Sequence, residues 1–143
     1  MENKMQVAGL FKKAVEAMGK AYVPYSHFKV GAALLTKTGE VFQGCNIENA
    51  AYSVCNCAER TAFFNAVSAG YYDFSAICIV GGKEGILTDY TSPCGVCRQV
   101  MMEFCDPKTF RVILGKSEED YRIYTLEDLL PSGFGKASLK DGD

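Results

Sequence analysis

Two short cysteine clusters are the residues of this sequence best suited to chemistry. Cys57 stands two positions before Glu59, and a Cys-x-x-Cys pair, Cys94 and Cys97, follows later in the chain. Thiols on the first turn of a helix point toward one place, where free N–H groups stabilise thiolate charge. If the fold brings both predicted helix starts together, the three thiolates supply three ligands of a zinc ion. The spacing therefore predicts zinc bound by these three cysteines.

The number of protein ligands separates a catalytic zinc from a structural one. Structural sites have four protein ligands, whereas catalytic sites keep one position for water. Helical geometry does not favour Cys55 and Cys57 facing one ion, and the single histidine, His27, lies before the first predicted strand. We therefore expect water at the fourth position, with its pKa lowered toward neutrality. The alternative, a non-enzymatic zinc domain, uses Cys55 as the fourth ligand.

Three charged residues lie beside the predicted ligands. Glu59 is placed to take a proton from the water and carry it to a substrate. The alternative is that this carboxylate only stabilises the helix, because a negative charge is favourable near the positive end of the helix dipole. Hydrogen bonds from Arg60 and Arg98 to sulfur would withdraw charge from three thiolates and keep the water acidic. The alternative for both arginines is an exposed position on an amphipathic helix. A thiol-redox role for the Cys-x-x-Cys pair that begins at Cys94 is a further alternative. It is disfavoured because it leaves Glu59 without a function.

Hydrophobic spacing predicts the elements that must position these side chains. Helices are expected at residues 7–20, 57–69, 94–104 and 126–130, and strands at 28–36, 41–47, 74–80, 110–114 and 121–125. The first two strands form a hairpin, and the link between the last two is too short for a crossover, so both pairs are antiparallel. The order predicts an α/β fold, a three-layer α-β-α arrangement with a mixed five-stranded sheet. Both cysteine-bearing helices follow strands, which places the clusters at one end of the sheet.

Composition narrows the class of protein and its partners. With 143 residues, 48% hydrophobic and 22% charged, the chain is expected to form a single domain, 1–143, with a C-terminal tail at 131–143. A net charge of −2 gives no electrostatic reason for a nucleic-acid or membrane partner. No apolar run approaches about 18 residues, and the N-terminus lacks a signal-peptide core, so we expect a cytoplasmic protein. In a reducing compartment, clustered cysteines among seven favour metal binding over disulfides.

The motif Cys57-Ala58-Glu59 with Pro93-Cys94-x-x-Cys97 resembles the signature of zinc nucleoside and nucleobase deaminases, with cysteine replacing histidine as the first ligand. Four blocks, at residues 26–33, 44–52, 57–60 and 92–99, together resemble the small homotetrameric cytidine deaminases. The resemblance implies zinc-dependent hydrolysis of cytidine and 2′-deoxycytidine in pyrimidine salvage. It also implies a homotetramer with shared active sites, and Glu59 as the residue that carries protons to N3 and to the departing ammonia.

The resemblance also implies residues that bind the nucleoside. Asn46 and Glu48 resemble a pair that hydrogen-bonds the ribose 3′-hydroxyl, and residues two apart on an extended segment point to the same side; the alternative is two polar residues in solvent. Phe28 resembles an aromatic that packs on the pyrimidine, although composition alone predicts a core residue. Ala58 matches a position whose backbone contacts the base and the water. Phe134 resembles a C-terminal aromatic that covers a neighbouring subunit's site.

One rival activity belongs to the same chemical class. Deaminases of the antibiotic blasticidin S share the three-cysteine core and the Ser-Pro-Cys-Gly-x-Cys-Arg-Gln block found at residues 92–99. They lack the Asn-x-Glu pair in the form seen at Asn46 and Glu48. This difference favours cytidine as the substrate.

Overall fold

A five-stranded sheet with helices on both faces makes up the computed structural model, which describes residues 3–140. The helices are α1 (Lys4–Met18), α2 (Ala58–Ser68), α3 (Gly95–Phe104) and α4 (Leu126–Leu129), and the strands are β1 (Phe28–Thr36), β2 (Val41–Cys45), β3 (Phe74–Lys83), β4 (Arg111–Gly115) and β5 (Tyr121–Thr125). Short 3-10 helices lie at Tyr52–Val54 and Lys136–Leu139. Of the predicted tail, residues 131–140 are described, and residues 141–143 lie outside the described part.

The sheet has the strand order β2-β1-β3-β4-β5. β1 pairs antiparallel with both β2 and β3, β3 pairs parallel with β4, and β4 pairs antiparallel with β5. These pairings confirm the predicted mixed sheet and the antiparallel arrangement of the last two strands. Because β2 and β3 are both antiparallel to β1, they run in the same direction. Their C-terminal ends, which lead toward α2 and α3, therefore lie at one end of the sheet.

Alternation along the strands divides the core into two layers of side chains. On one face, α1 packs through Val7, Leu10, Ala14 and Met18 against Ala33, Leu35, Ala76, Cys78, Val80 and Ile113. On the other, α2 and α3 pack through Ala62, Phe63, Ala66 and Met101 against Ala32, Leu34, Ile77, Ile79, Val112 and Leu114. This arrangement confirms the predicted three layers.

Gly44 in β2 sets the distance between the sheet and the first turn of α2. A Cβ atom at this position would lie 2.3 Å from the carbonyl oxygen of Ala58 and 2.4 Å from the backbone nitrogen of Ala62. No side chain fits in that space, so the helix backbone rests directly on the strand backbone. The start of α2 is thereby held against the sheet.

Several element boundaries differ from those predicted. β3 was expected to end at residue 80 but continues through Gly81 and Gly82, which pair with Val30 and Lys29 of β1. β2 ends at Cys45 rather than at residue 47, and the 3-10 helix at Tyr52–Val54 was not predicted. Adjacent glycines usually indicate a turn, yet here they continue the strand and leave room for close neighbours: the side chains of Thr91 and Phe28 at Gly81, and the backbone of Ile86 at Gly82.

The outer edge strand, β2, is hydrogen-bonded to both helical layers. Asn65 of α2 donates from Nδ2 to the carbonyl oxygen of Gln43 across 3.0 Å. Gln43 in turn donates from Nε2 to the carbonyl oxygen of Lys13 in α1 across 2.9 Å. Amide side chains thus link the edge strand to helices on both faces of the sheet.

Within residues 3–140, no helix is long and apolar enough to cross a membrane.

Candidate metal centre and active site

Two helix starts bring the three predicted metal ligands together. Cys57 is the N-cap of α2 and Cys94 the N-cap of α3, both in extended backbone conformation. Cys97 lies in the first turn of α3 and is 1% exposed. The three Sγ atoms lie within 4.8 Å of one another. The fold thus brings all three predicted ligands together, and we call these three residues the thiol cluster.

The distances in the thiol cluster fit a zinc ion. Sγ of Cys94 lies 3.7 Å from Sγ of Cys57 and 3.6 Å from Sγ of Cys97. Two thiolates at about 2.3 Å from one tetrahedral zinc lie about 3.8 Å apart. Three sulfur donors with this separation suit zinc and leave a fourth coordination position that these cysteines do not fill.

The fourth cysteine near this site, Cys55, does not belong to the thiol cluster. Its Sγ atom accepts a hydrogen bond from the backbone N–H of Asn49 across 3.2 Å. The side chain lines a separate depression of about 330 Å³ with Tyr25 and Tyr52. This placement agrees with the expectation that Cys55 is not a ligand.

Hydrogen bonds to sulfur separate the acidities of the clustered thiols. A bond from Cys97, with a further bond from Arg60, lowers the pKa of Cys57 to about 5 even though burial opposes ionisation. The bond to Cys57 and burial raise the pKa of Cys97. Nη2 of Arg60 lies 3.3 Å from Sγ of Cys57, which is the sulfur contact expected of this arginine. Cys57 therefore ionises before Cys97.

Arg98 does not make the sulfur contact expected of it, and that expectation is wrong. Its Nε donates to the carbonyl oxygen of Pro93 across 2.8 Å, and its Nη1 donates to the carbonyl oxygen of Leu129 across 2.5 Å. Its Nη2 donates to Oγ of Ser92 across 2.9 Å. The guanidinium is directed toward oxygen atoms of the preceding loop and of α4. It therefore fixes the backbone before Cys94 and does not withdraw charge from a thiolate.

Glu59, the second residue of α2, is buried beside the thiol cluster with 4% of its surface exposed. Burial raises its pKa to about 7, and repulsion from Cys57 acts in the same direction. A carboxyl group with a pKa near neutrality both accepts and donates protons under physiological conditions. This is the property that a proton-transferring glutamate requires.

An active-site cleft of about 140 Å³ opens beside the thiol cluster. It is lined by Val30, Asn46, Cys57, Ala58, Glu59, Thr91, Ser92 and Cys94. Besides Glu59, four predicted site residues lie together here: Asn46, Cys57, Ala58 and Cys94. Sequence reasoning missed Val30, Thr91 and Ser92; the position of the last two just before the Pro-Cys motif is a signal that could have found them.

Asn46 and Glu48 bind different parts of the backbone. Asn46 donates from Nδ2 to the carbonyl oxygen of Phe28 and accepts at Oδ1 from the N–H of Val30, each across 2.9 Å. Glu48 accepts at Oε1 from the N–H groups of Tyr25 and Ser26, each across 3.1 Å, and its Oε2 accepts from the Ser26 hydroxyl. That hydroxyl is the main cause that lowers the pKa of Glu48. Only Asn46 lines the active-site cleft; Glu48 lines the depression that contains Cys55.

The two predicted aromatic contacts lie outside the lining of the cleft. Phe28 is 40% exposed, and its carbonyl oxygen is held by Asn46. Phe134 is 58% exposed, and its carbonyl oxygen accepts a hydrogen bond from Nε2 of Gln99 across 2.8 Å. Their contacts with a substrate remain predictions.

Three protein ligands with an open fourth position are the arrangement of a catalytic zinc, and three cysteines with a glutamate that is not a ligand are found in zinc deaminases. Residues 5–113 match the family model described as the cytidine and deoxycytidylate deaminase zinc-binding region. The chain therefore belongs to the cytidine and deoxycytidylate deaminase family. The family match and the thiol cluster together identify zinc as its cofactor.

Individual relatives agree with the family. The chain is 49% identical over 135 residues to a cytidine deaminase of Sporosarcina psychrophila, covering 94% of this chain and 96% of the relative. It is similar to the crystal structure of a cytidine deaminase from Burkholderia pseudomallei, with 51% identity, a TM-score of 0.80, and coverage of 88% of this chain and 97% of the other. A blasticidin-S deaminase of Bacillus cereus is 35% identical over 128 residues, covering 85% of this chain and 87% of the relative.

Proposed function

We propose that this chain catalyses the zinc-dependent hydrolytic deamination of cytidine and 2′-deoxycytidine to uridine and 2′-deoxyuridine, with release of ammonia. The observation that carries the proposal is the burial of Glu59 in the same cleft as Cys57 and Cys94. Family membership and the similarity to cytidine deaminases support it.

The chain's own residues divide the chemistry. Cys57, Cys94 and Cys97 hold the zinc, which when bound supplies a Lewis acid that lowers the pKa of water. Glu59 takes a proton from the attacking water and gives it to N3 of the pyrimidine as the C4–O bond forms. It then carries the second proton to the exocyclic nitrogen, so that the C4–N bond breaks and ammonia leaves. Arg60 withdraws charge from the Cys57 thiolate and so favours the acidity of the water.

Substrate selection follows from the residues around the cleft. Asn46, which lines the cleft and whose amide is held in place by two backbone hydrogen bonds, binds the ribose 3′-hydroxyl, which cytidine and 2′-deoxycytidine share. Glu48 completes this pair from the depression that contains Cys55. The Glu48 carboxylate is negatively charged and would repel a 5′-phosphate brought close to it, so a free nucleoside is preferred. Phe28 packs on the pyrimidine, and the backbone of Ala58 contacts the base.

We infer that the 143 residues act as one domain within a homotetramer with shared active sites. A cleft of about 140 Å³ supports this, because ligand pockets usually begin at about 300 Å³ and a nucleoside needs further walls. The exposed ring of Phe134 on the tail is available to supply one of them in a neighbouring subunit. We infer that the enzyme serves pyrimidine salvage in the cytoplasm, a reducing compartment in which clustered cysteines bind metal and do not form disulfides.

Ultraviolet absorbance of cytidine in the presence of the purified protein tests the proposal directly. Turnover is expected with cytidine and 2′-deoxycytidine, to be lost after a strong chelator and to return with added zinc. Cytidine 5′-monophosphate and blasticidin S serve as comparison substrates. Turnover of blasticidin S without turnover of cytidine would support the rival activity, and a zinc-loaded protein inactive on all four compounds would support a non-enzymatic zinc domain.

A further inference from the structure

Gly81 in β3 lies where two side chains from different segments meet. A Cβ atom at this position would lie 2.8 Å from Oγ1 and 3.1 Å from Cγ2 of Thr91, and 3.2 Å from Cε1 of Phe28. Real side chains are rarely packed this tightly, so an added methyl group forces at least one neighbour to move. The bare backbone of Gly81 is therefore the surface on which the Phe28 ring and the Thr91 side chain both rest.

Thr91 connects this contact to the active-site cleft. Its hydroxyl donates to the carbonyl oxygen of Gly81 across 3.2 Å, and its side chain lines the cleft together with Glu59 and Cys94. It stands three residues before Cys94 in the loop that leads into α3. A shift of Thr91 away from Gly81 thus changes the wall of the cleft itself.

Phe28 is held at two points. Nδ2 of Asn46, which also lines the cleft, binds its carbonyl oxygen, while its ring lies over Gly81 beside Thr91. Fixing the backbone alone leaves the ring free to rotate about its side-chain bonds. The contact over Gly81 supplies the second constraint, which determines where the exposed face of the ring lies.

We propose that Gly81 and Thr91 are positioning residues that hold the ring of Phe28 at the edge of the active-site cleft and so set the affinity for the pyrimidine. The inference rests on the proposed function, in which Phe28 packs on the base. Neither residue takes part in proton transfer or binds zinc. Disturbing them is therefore expected to weaken nucleoside binding while zinc stays bound.

The first test substitutes Gly81→Ala and compares it with Gly9→Ala. Because overpacking moves the Phe28 ring, we expect the KM for cytidine and the calorimetric Kd for uridine to rise about tenfold, with kcat within about threefold of the parent. Zinc per chain should be unchanged. Gly9 is exposed in α1 with no heavy atom within 4 Å of an added Cβ, so Gly9→Ala should keep the parental KM, kcat and Kd.

The second test asks whether relief of the clash restores binding. Thr91→Ala removes Oγ1 and Cγ2, the two atoms nearest to the added methyl group. Alone it should raise the KM and the uridine Kd about threefold, because the hydrogen bond that holds Thr91 against Gly81 is lost and the wall of the cleft can shift. This variant tests the positioning role even if Gly81→Ala folds poorly. In the Gly81→Ala/Thr91→Ala double variant, the KM should rise by less than the product of the two single effects.

The outcomes separate this inference from the proposed function. If the unmodified protein does not deaminate cytidine, the proposed function fails. If it does, but the KM and uridine Kd of both single variants stay at the parental values, the positioning role is overturned. A double variant whose effect equals the product of the single effects would also overturn it, since the two positions would then act independently.

Discussion

Nη2 of Arg60 donates a hydrogen bond to Sγ of Cys57 across 3.3 Å. Cys57 caps α2 and Arg60 follows three residues later, so one helical turn places the guanidinium above the sulfur. The bond favours both charged forms, because it lowers the pKa of the thiol and raises the pKa of the arginine. A metal ligand and the cation beside it are thus positioned by the same turn of helix.

Replacing Arg60 by Gln is expected to weaken zinc binding or turnover by about 10- to 100-fold, because the Cys57 sulfur loses its charged donor. Zinc affinity is measured by competition with a chromogenic chelator, and turnover by cytidine absorbance. Lys108→Gln removes one exposed positive charge elsewhere and controls for net charge. Equal zinc affinity and turnover in Arg60→Gln and Lys108→Gln would contradict the role of Arg60.

Arg98→Lys should mainly affect stability. A lysine ammonium cannot reach Pro93, Leu129 and Ser92 together, so hydrogen bonds from a charged donor are lost. The free energy of unfolding is expected to fall by about 1.5 kcal/mol or more. Urea denaturation of the zinc-loaded protein measures the difference. A variant with the parental midpoint and slope would show that these bonds do not stabilise the loop before Cys94.

Glu59→Gln should abolish most of the deamination while leaving zinc in place. Gln keeps the shape of the side chain but cannot exchange the proton, and general acid–base catalysis contributes about 10²- to 10⁴-fold. The cytidine assay and metal analysis are performed on the same preparation. Glu119→Gln, which neutralises an exposed carboxylate, is the control. A zinc-loaded Glu59→Gln protein that works at the parental rate would rule out proton transfer by Glu59.

Substitution of single cysteines tests the ligand set. Cys94→Ser should lose most of its zinc, because the remaining sulfurs give the ion only two thiolates. Cys55→Ser should keep one zinc per chain, since Cys55 bonds to Asn49 and lies outside the thiol cluster. Metal analysis after dialysis measures both. Loss of zinc from Cys55→Ser would instead indicate a closed four-cysteine site.

The buried thiol of Cys78 predicts a loss of stability at alkaline pH. Burial raises its pKa from 9.0 to about 12, so between these values the folded chain keeps a proton that the unfolded chain has released. This contribution to stability is fully present below pH 9 and is lost as the pH rises toward 12. The slope is at most about 1.4 kcal/mol per pH unit. Urea unfolding of Cys78→Ala should show a flatter alkaline slope than the parent, and parallel slopes would contradict this assignment.

Sequence patterns predicted the elements whose signals are local. The apolar run and the following turn defined β1 at Phe28–Thr36, and the Cys-x-x-Cys spacing predicted that Cys94 and Cys97 belong to one site. Both depend only on the period of a strand or a helix. The length of β3 was underestimated because Gly81 and Gly82 resemble a turn until their partners in β1 are known.

The direction of Arg98 was unpredictable for a different reason. Its partners include the carbonyl oxygen of Leu129, a residue 31 positions away that the fold alone brings near. Glu48 is similar, because its bonds to Tyr25 and Ser26 depend on how the loop before β1 lies against the segment after β2. Side chains with long reach and several donors or acceptors follow tertiary neighbours, which spacing in sequence does not reveal.

The amide bridge at the edge of the sheet bears on how molecules of this chain associate. A strand arriving from another molecule must pair with the outward carbonyl groups of β2, and Asn65 already occupies that of Gln43. Edge strands with free backbone groups are templates for aggregation. Asn65 therefore withholds one backbone acceptor from an incoming strand, and we expect an Asn65→Ala variant to scatter more light than the parent at high concentration.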